Sequence, residues 1–206
     1  LQGLGESLYM TLLSTLVSYI IGLPLGLILV VTDKNGIHPN APVNQILGAI
    51  VNILRSVPFL ILLVAVVPIT RFITGTSIGS TATVVPLVIA AAPFVARVVE
   101  SSIKEVDRGV IEASLSMGAS TLQVVRKVLV PEAMPSLLTG LALSLTTILS
   151  YSAMAGFVAG GGLGAIAINY GYYRKQSDIM YVMVILMAII VLVFQELGMR
   201  ISKHTD

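Results

Sequence analysis

The chain has 206 residues, of which 56% are hydrophobic and 11% are charged, with a formal net charge of +2 and a mean hydropathy of +0.97. Soluble domains carry about 25% charged residues, so this composition excludes a soluble globular protein and indicates that the chain lies in lipid. The small net charge excludes an extended nucleic-acid-binding surface.

Five stretches are apolar over about the 20 residues that a helix needs to cross the bilayer. In chain order they cover 8–31, 46–69, 83–99, 136–159 and 179–197. The second is the weakest, because Arg55 stands inside it and Pro58 is expected to bend it near its cytoplasmic end. Arg55 either reaches the inner interface or pairs inside the bundle, and Pro58 is either a hinge or a tolerated proline. The sequence predicts one all-α integral membrane domain, residues 1–206, with five transmembrane helices.

The distribution of basic residues predicts the orientation, because cytoplasmic loops carry an excess of lysine and arginine. One side collects Lys34, Arg97, Lys104, Arg108, Arg126, Lys127, Arg200 and Lys203, and the other has Arg71, Arg174 and Lys175. The N-terminus is therefore expected outside and the C-terminus in the cytoplasm. Because five spans are few for enclosing a pathway, a homodimer is the expected unit.

The loop between the third and fourth spans is unusually polar, since residues 97–132 carry ten of the chain's 22 charges. Asp107 is expected to cap a short helix that Gly118 ends in the left-handed conformation. Ser120 and Gln123 form a capping box for a second helix, which Pro131 is expected to end. This loop is either an amphipathic connector at the lipid interface or a docking element for another protein.

Several residues of this loop stand at a recognisable spacing. They are Glu112, Ala113, Ser114, Gly118, Val128, Val130 and Pro131. The segment resembles the EAA loop of type I ABC importer permeases, whose pattern is Glu-Ala-Ala, three residues, Gly, nine residues and Ile-x-Leu-Pro. Ser114, Val128 and Val130 depart from it conservatively. Segments in the spans, including 55–58, 91–97, 151–154 and 160–164, are similar to the methionine-importing branch of that family.

The resemblance implies a homodimer in the bacterial cytoplasmic membrane, joined to two ATP-binding cassette ATPase subunits and supplied by an extracytoplasmic substrate-binding lipoprotein. It also implies that the short helix around Glu112 to Gly118, within the coupling loop 105–131, fits a cleft of the ATPase. Glu112 would pair with a basic group there, Leu115 and Met117 would fill the groove, and Gly118 would turn the chain. The sequence contains no Gly-Lys pair and so no Walker A motif. This chain is therefore expected to be non-catalytic and to bind no cofactor, with ATP and Mg²⁺ on the partner ATPases.

The fourth span is rich in hydroxyl and small side chains. Met154 is expected to be a flexible apolar gate in the pathway, with Tyr151 and Ser152 offering transient hydrogen bonds to a zwitterion. The alternative is that these hydroxyls bond their own backbone. Gly156 and Gly160, with Gly164, form a row of small residues that favours close helix packing.

The leading hypothesis is a permease subunit of an ATP-driven amino-acid importer working by alternating access, with methionine suggested by the resemblance alone. The alternative is an ion-coupled secondary transporter of a small polar solute. Such a protein needs an acidic group at mid-membrane, whereas Glu100 and Glu196 lie near span ends. An intramembrane protease would need a histidine or lysine near a serine at depth. Because the chain has no cysteine and its two histidines lie in a loop and the tail, no catalytic residue and no metal site are predicted.

Overall fold

The computed structural model describes residues 1–158 and 160–203, and every regular element in these ranges is helical. The α-helices are α1 (Gln2–Thr32), α2 (Ala41–Ser56), α3 (Phe59–Ala65), α4 (Val67–Thr74), α5 (Ser80–Lys104), α6 (Arg108–Ser116), α7 (Thr121–Val124), α8 (Val130–Glu132), α9 (Met134–Met154), α10 (Gly162–Ile166) and α11 (Ser177–Lys203). A 3-10 turn covers Ala155–Val158, and π-helical segments cover Val125–Leu129 and Ala167–Tyr173.

Four helical stretches of the described residues are long and apolar enough to cross a membrane. They are α1, α5, α11 and the stretch Met134–Tyr173 that begins with α9. The bent pair of α2 and α3 supplies a fifth crossing if it forms one span. The protein is thus an all-helical membrane protein, and its long helices lie where the first, third, fourth and fifth spans were predicted.

The predicted second span, 46–69, is not one straight helix, because the chain there forms parts of α2, α3 and α4. α2 ends at Ser56, Val57 is extended, and the axis of α3 is turned by 102° from that of α2. Pro58 stands at the N-cap of α3. A proline disfavours the helical conformation in the residue before it and lacks the N–H that would continue the hydrogen-bond ladder, so the helix breaks at this point.

The core is formed where α1 packs along α5. Small residues on α1 permit this contact, since a Cβ atom added at Gly26 would lie 2.6 Å from the carbonyl oxygen of Ala96. At the end that carries α6, a cluster of buried apolar residues joins α5 to the segment before α9. Its members are Val95, Val99, Ile103, Val106, Val124, Leu129, Ala133 and Leu137.

Pro131 does not end the second short helix, contrary to the sequence expectation. Helical backbone runs from Thr121 through the π-helical segment to Glu132, and the break falls at Ala133. The backbone N–H of Val130 donates to the carbonyl of Val125, five residues back. A π-helical turn changes the register of the hydrogen bonds, which lets the ladder pass a proline that has no N–H to donate.

Candidate functional site

The helix that carries Glu112 is defined at both ends by its own side chains and backbone. Asp107 caps its start, with Oδ1 accepting a hydrogen bond from the Gly109 N–H at 2.7 Å. At its end, the Gly118 N–H donates to the Leu115 carbonyl and the Ala119 N–H to the Ser114 carbonyl, which is a Schellman motif. Gly118 has φ +81°. The predicted cap and left-handed end are therefore confirmed.

The two faces of α6 differ in their surroundings. Ser114 is buried and its hydroxyl donates to the Val110 carbonyl at 2.8 Å. The other predicted docking residues of this helix and its C-cap, Glu112, Ala113, Leu115 and Met117, are exposed. Met117 is 81% exposed, and Leu122 on the following helix is 64% exposed. The loop thus presents an acidic group and apolar side chains to the outside of this chain.

The opposite face of the same loop is fastened to the long helices. Ile111 on α6 and Ala119 in the corner pack against the buried cluster, to which Val124 and Leu129 belong. The second helix begins with the predicted capping box, in which the Ser120 N–H donates to Oε1 of Gln123 at 2.8 Å. Because both helices pack on the cluster that contains Val99 and Ile103 of α5, a displacement of α6 is expected to be resisted by the helix bundle.

An open groove of about 570 Å³ separates α6 from the segment that follows α1. Its lining includes Asp33, Lys34, Lys104, Arg108, Glu112 and Leu115. The loop therefore places two of its predicted docking residues, Glu112 and Leu115, beside charged groups from the ends of α1 and α5. The sequence alone did not associate the 33–37 segment with the coupling loop.

A chain of polar contacts connects three helices at this end of the molecule. Arg97 on α5 contacts Glu100, and its Nη2 also donates to Oδ1 of Asn52 on α2 at 2.8 Å. Lys104 Nζ donates to Oε1 of Glu100 at 2.8 Å and to Oδ2 of Asp33 at 3.0 Å. Glu100 is buried. Its two cationic partners offset the free-energy cost of burying its negative charge.

Asp33 lies just beyond α1, where its carboxylate accepts hydrogen bonds from two directions. The backbone N–H of Asn35, and after it the ammonium of Lys104, hold the pKa of Asp33 below its ordinary value. Both donors favour the charged form of the acid. The contact with Lys104 therefore joins the end of α1 to the end of α5, directly before the coupling loop begins.

The three predicted pathway residues occupy different environments. Tyr151 is half-buried and its ring stacks on Phe59 of α3. Ser152 is buried and its hydroxyl donates to the Leu149 carbonyl at 2.7 Å. Met154, the last residue of α9, is 42% exposed and lines an apolar groove of about 420 Å³ with residues of α11. In this chain only Met154 of the three faces an open space.

Hydroxyl groups along α9 are bonded to the helix itself. Ser144, Thr146, Thr147, Ser150 and Ser152 each donate to a carbonyl three or four residues earlier. A hydroxyl bonded in this way is not a free donor for a passing solute. These bonds agree with the alternative stated in the sequence analysis, in which the hydroxyl groups bond their own backbone.

The glycines predicted to form a row of small residues along one helix do not lie on one helix. α9 ends at Met154, so Gly156 and Gly160 lie in the turn that follows it. A Cβ atom added at Gly156 would lie 2.6 Å from the backbone nitrogen of Ala165, and one at Gly160 would lie 2.7 Å from the Ala155 carbonyl oxygen. These glycines permit the chain to fold back on itself instead of bringing two long helices together. Ala159, at the end of the predicted fourth span, lies outside the described residues.

Arg55 and Pro58 flank the break between α2 and α3. Arg55 is exposed in the last turn of α2, and it forms no ion pair with any residue in the described ranges. Of the two alternatives for Arg55, pairing inside the bundle has no partner in the described part of this chain, and its exposure agrees with a side chain that reaches the interface. Pro58 is at the bend itself.

Sequence reasoning missed two groups of residues. Phe59 was only part of an apolar run, and nothing in the run singled out an aromatic partner for Tyr151. Glu6 and Ser7 were also missed, although they bond to the glycine-rich turn at Gly162 and Leu163. The only sign of this contact in the sequence was Glu6 itself, a single acid in the first turns of an otherwise apolar helix. Within the ranges that the structure describes, no group of three His, Asp or Glu residues is placed to hold a metal ion.

Comparison with known proteins gives consistent matches over most of the chain. A family model described as binding-protein-dependent transport system inner membrane component matches residues 22–206. The chain is 50% identical over 201 residues to the probable D-methionine transport system permease protein MetI of Vibrio cholerae, which covers 98% of this chain and 89% of that protein. It is 43% identical over 179 residues to the methionine import system permease protein MetP of Bacillus subtilis, covering 87% and 81% respectively.

Solved structures show the same relationship. A chain from a structure of inward-facing conformations of the MetNI methionine ABC transporter has a TM-score of 0.98 and 46% sequence identity, covering 100% of this chain and 95% of that one. A chain from an amino acid ABC transporter has a TM-score of 0.79 at 22% identity, covering 98% and 92%, and this second likeness concerns the fold alone. The resemblance derived from the loop residues is therefore confirmed.

Proposed function

The chain belongs to the family of binding-protein-dependent transport system inner membrane components, and from this premise we propose that it is the membrane-spanning permease subunit of an ATP-driven methionine importer. The relatives that support the substrate are named for D-methionine transport and for methionine import. Their similarity extends over nearly the whole chain, including the coupling loop and α9.

The proposed assembly is a homodimer of five-span subunits with two ATPase subunits and an extracytoplasmic substrate-binding lipoprotein. Its support within this chain is the amount of apolar surface without a partner, since no residue in the most apolar part of α11 is buried. That surface is available to lipid and to a second copy. In this arrangement each chain is one domain, with its N-terminus outside and its C-terminus in the cytoplasm of a bacterial cell.

The orientation rests on where the basic residues and the coupling loop lie. Lys104 and Asp33 join the ends of α5 and α1 at the same end of the bundle as α6. That end carries most of the lysines and arginines, which is typical of the cytoplasmic side. Cytoplasmic ATPases would therefore meet α6, and the glycine turn after α9 would face outward.

Coupling would proceed through the exposed side of α6. Glu112, Leu115 and Met117 contact the ATPase in this proposal, while Gly118 fixes the corner and Pro131 lies in the helix that returns to α9. ATP and Mg²⁺ bind to the partner subunits and supply the free energy. Because the loop is packed on α5 through Ile111 and the buried cluster, closure of the ATPases is transmitted to the spans. Alternating access then requires that the ATPases bind the two permease conformations unequally.

Within the membrane, Met154 is the proposed gate. It ends α9 beside an open apolar groove, and its flexible side chain suits a constriction that must open and close. Tyr151 acts indirectly by holding Phe59, and Ser152 keeps the helix intact through its bond to Leu149. The bend between Arg55 and Pro58 is the proposed hinge of the second span.

One observation supports this function most strongly, namely the rigid corner of α6 with acidic and apolar side chains exposed on its outer face. The test is reconstitution of the chain with its ATPase and binding protein in liposomes, followed by measurement of ATP hydrolysis and methionine uptake. Glu112→Ala and Gly118→Val are expected to detach or uncouple the ATPase. Glu196→Ala, which removes an exposed acid of α11, is the charge-matched control.

The same experiment distinguishes the alternative transporter. Methionine uptake that needs ATP and the binding protein supports the importer. Uptake that persists without the ATPase and follows an imposed ion gradient would overturn it in favour of a secondary transporter.

A further inference from the structure

The N-terminal end of α1 is bonded to the glycine-rich turn that follows α9. Oε2 of Glu6 accepts a hydrogen bond from the Gly162 N–H at 2.8 Å, and Oγ of Ser7 accepts one from the Leu163 N–H at 2.8 Å. Nε2 of Gln2 donates to the other carboxylate oxygen of Glu6 at 3.0 Å. The contacts at Gly162 and Leu163 each join positions 156 residues apart, so they are a tertiary connection between α1 and the turn after α9.

The donors at Gly162 and Leu163 have no partner from their own helix. They are the first N–H groups of α10, which starts at Gly162, and the first four N–H groups of a helix lack internal acceptors. An unpaired N–H near the lipid phase is costly because little water is present to replace the bond. A carboxylate is the strongest acceptor that a side chain offers for such a donor. Glu6 therefore supplies the acceptor that the Gly162 N–H lacks within α10.

Neighbouring glycines make the close approach possible. A Cβ atom added at Gly161 would lie 2.6 Å from Oε2 of Glu6. Gly162 has φ +85°, and a Cβ atom there would lie 2.5 Å from Oγ of Ser7. Gly161 and Gly162 therefore fit the side chains of α1.

The turn also contacts the end of α9. A Cβ atom added at Gly164 would lie 2.3 Å from the Ala153 carbonyl oxygen, which places the start of α10 against the residue before Met154. The outer end of α9 is thus held between its own continuation and α1. Loss of the Glu6 contact would release this turn without altering α6 or the ATPase-facing surface.

We propose that Glu6 and Ser7 are positioning residues that hold the glycine turn after α9 against α1 and thereby fix the gate residue Met154 at the outer end of the pathway. The inference rests on the proposed transport function for the role of Met154. The connection itself is independent of that function, so the two can be tested separately.

The first measurement is amide hydrogen exchange of the assembled transporter, read on peptides that cover residues 160–166. Glu6→Ala is expected to speed exchange at Gly162 by about tenfold, which is the factor for loss of one charge-assisted hydrogen bond. Glu6→Gln keeps an acceptor oxygen and is expected to restore most of the protection. Gly5→Ala is the matched control, because a Cβ atom at Gly5 meets open space.

The second measurement is methionine transported per ATP hydrolysed in liposomes. Glu6→Ala is expected to lower this ratio severalfold while the ATPase remains bound, and Glu6→Gln is expected to recover it. Gly161→Ala pushes against the carboxylate and is expected to lower the ratio as well. Because both changes act on one contact, the double variant Glu6→Ala with Gly161→Ala is expected to lose less than the sum of the two single losses.

Each outcome decides a different claim. Unchanged exchange at Gly162 in Glu6→Ala would overturn the connection between α1 and the turn. Faster exchange with an unchanged transport ratio, or strictly additive losses in the double variant, would overturn the positioning role. Failure of the wild-type assembly to transport methionine would overturn the proposed function instead, and the exchange data would still report on the contact. Co-purification of the ATPase identifies any variant that fails to fold.

Discussion

The ring of Phe59 lies parallel to the ring of Tyr151, with their centroids 4.6 Å apart and 5° between their planes. Phe59 opens α3 directly after the 102° bend, and Tyr151 precedes Met154 by one turn of α9. The stack therefore connects the broken second span to the helix that carries the proposed gate. Movement of the bend is therefore expected to reach α9 through this contact.

Replacing Phe59 by leucine is expected to lower methionine uptake severalfold with a smaller loss of stability. Leucine keeps an apolar side chain at the site, but the aromatic pair contributes about 0.5–1.5 kcal/mol beyond its buried area. Tyr151→Phe retains the stack and is expected to transport like wild type. Phe72→Leu is the control, since Phe72 is 92% exposed. Uptake by Phe59→Leu equal to that of wild type would show that the stack does not position α9.

The polar contacts around Glu100 give a second prediction, concerning stability. The side chain of Glu100 is 11% exposed and contacts Arg97 and Lys104, whereas that of Glu196 is 53% exposed and contacts Arg200. Glu100→Gln is expected to lower the free energy of unfolding by about 1–3 kcal/mol, because it removes the charged acceptor of Arg97 and one of the two acids that contact Lys104. Glu196→Gln is expected to change it by less than about 1 kcal/mol.

Thermal unfolding of the detergent-solubilised assembly, followed by intrinsic or dye fluorescence, compares these two variants directly. Both changes remove one negative charge and keep the shape of the side chain, so the comparison isolates burial and the number of partners. Equal losses in the two variants would contradict a structural role for the contacts that connect α5 with α2 and with the end of α1.

Local features of the coupling loop could be predicted because the residues that form them are near one another in sequence. The cap at Asp107, the left-handed Gly118 and the Ser120 capping box depend on residues within a few positions. Pro131 was assigned wrongly because a local rule was applied where a π-helical segment changes the hydrogen-bond register. The apolar spans could be located from hydrophobicity, except where the short run after Arg55 breaks at Pro58.

Contacts between distant parts of the chain could not be predicted in this way. Phe59 and Tyr151, Asp33 and Lys104, and Glu6 and Gly162 are each separated by more than 70 positions. Their pairing depends on how the spans pack, and apolar stretches of similar composition carry little information about which faces meet. The end of α9 could not be predicted for the same reason, since the turn after Met154 is bonded to α1.

A third prediction concerns pH and rests on Asp33. Its pKa is lowered in the folded chain, first by the Asn35 N–H and then by Lys104. A lowered pKa means that Asp33 binds its proton more tightly in the unfolded chain than in the folded chain. The ionised carboxylate therefore stabilises the fold at pH values above the pKa of the unfolded chain, and this stabilisation is lost as the pH falls through the pKa of the folded chain. The effect is expected to weaken once the pH falls below about 5 and to disappear only below the lowered pKa.

Asp33→Asn isolates this group from the other acids, because the amide oxygen still accepts from Asn35 while the charge that faces Lys104 is removed. The difference in unfolding temperature between wild type and this variant is expected to be constant above about pH 5 and to narrow at lower pH. A difference that stayed constant down to pH 3 would show that the ionised form of Asp33 does not contribute.

The last prediction distinguishes the backbone conformation at Gly118 from the size of its side chain. Gly118 has φ +81°, and a Cβ atom added there would meet nothing within 4 Å, so only the left-handed backbone requires glycine. That conformation costs about 1–2 kcal/mol for most residues, whereas asparagine tolerates it. Gly118→Asn is therefore expected to keep the ATPase bound and to support uptake, while Gly118→Val is expected to lose both. The amount of ATPase that co-purifies with each variant is the measurement, and equal retention by the two variants would show that the ATPase does not need this corner.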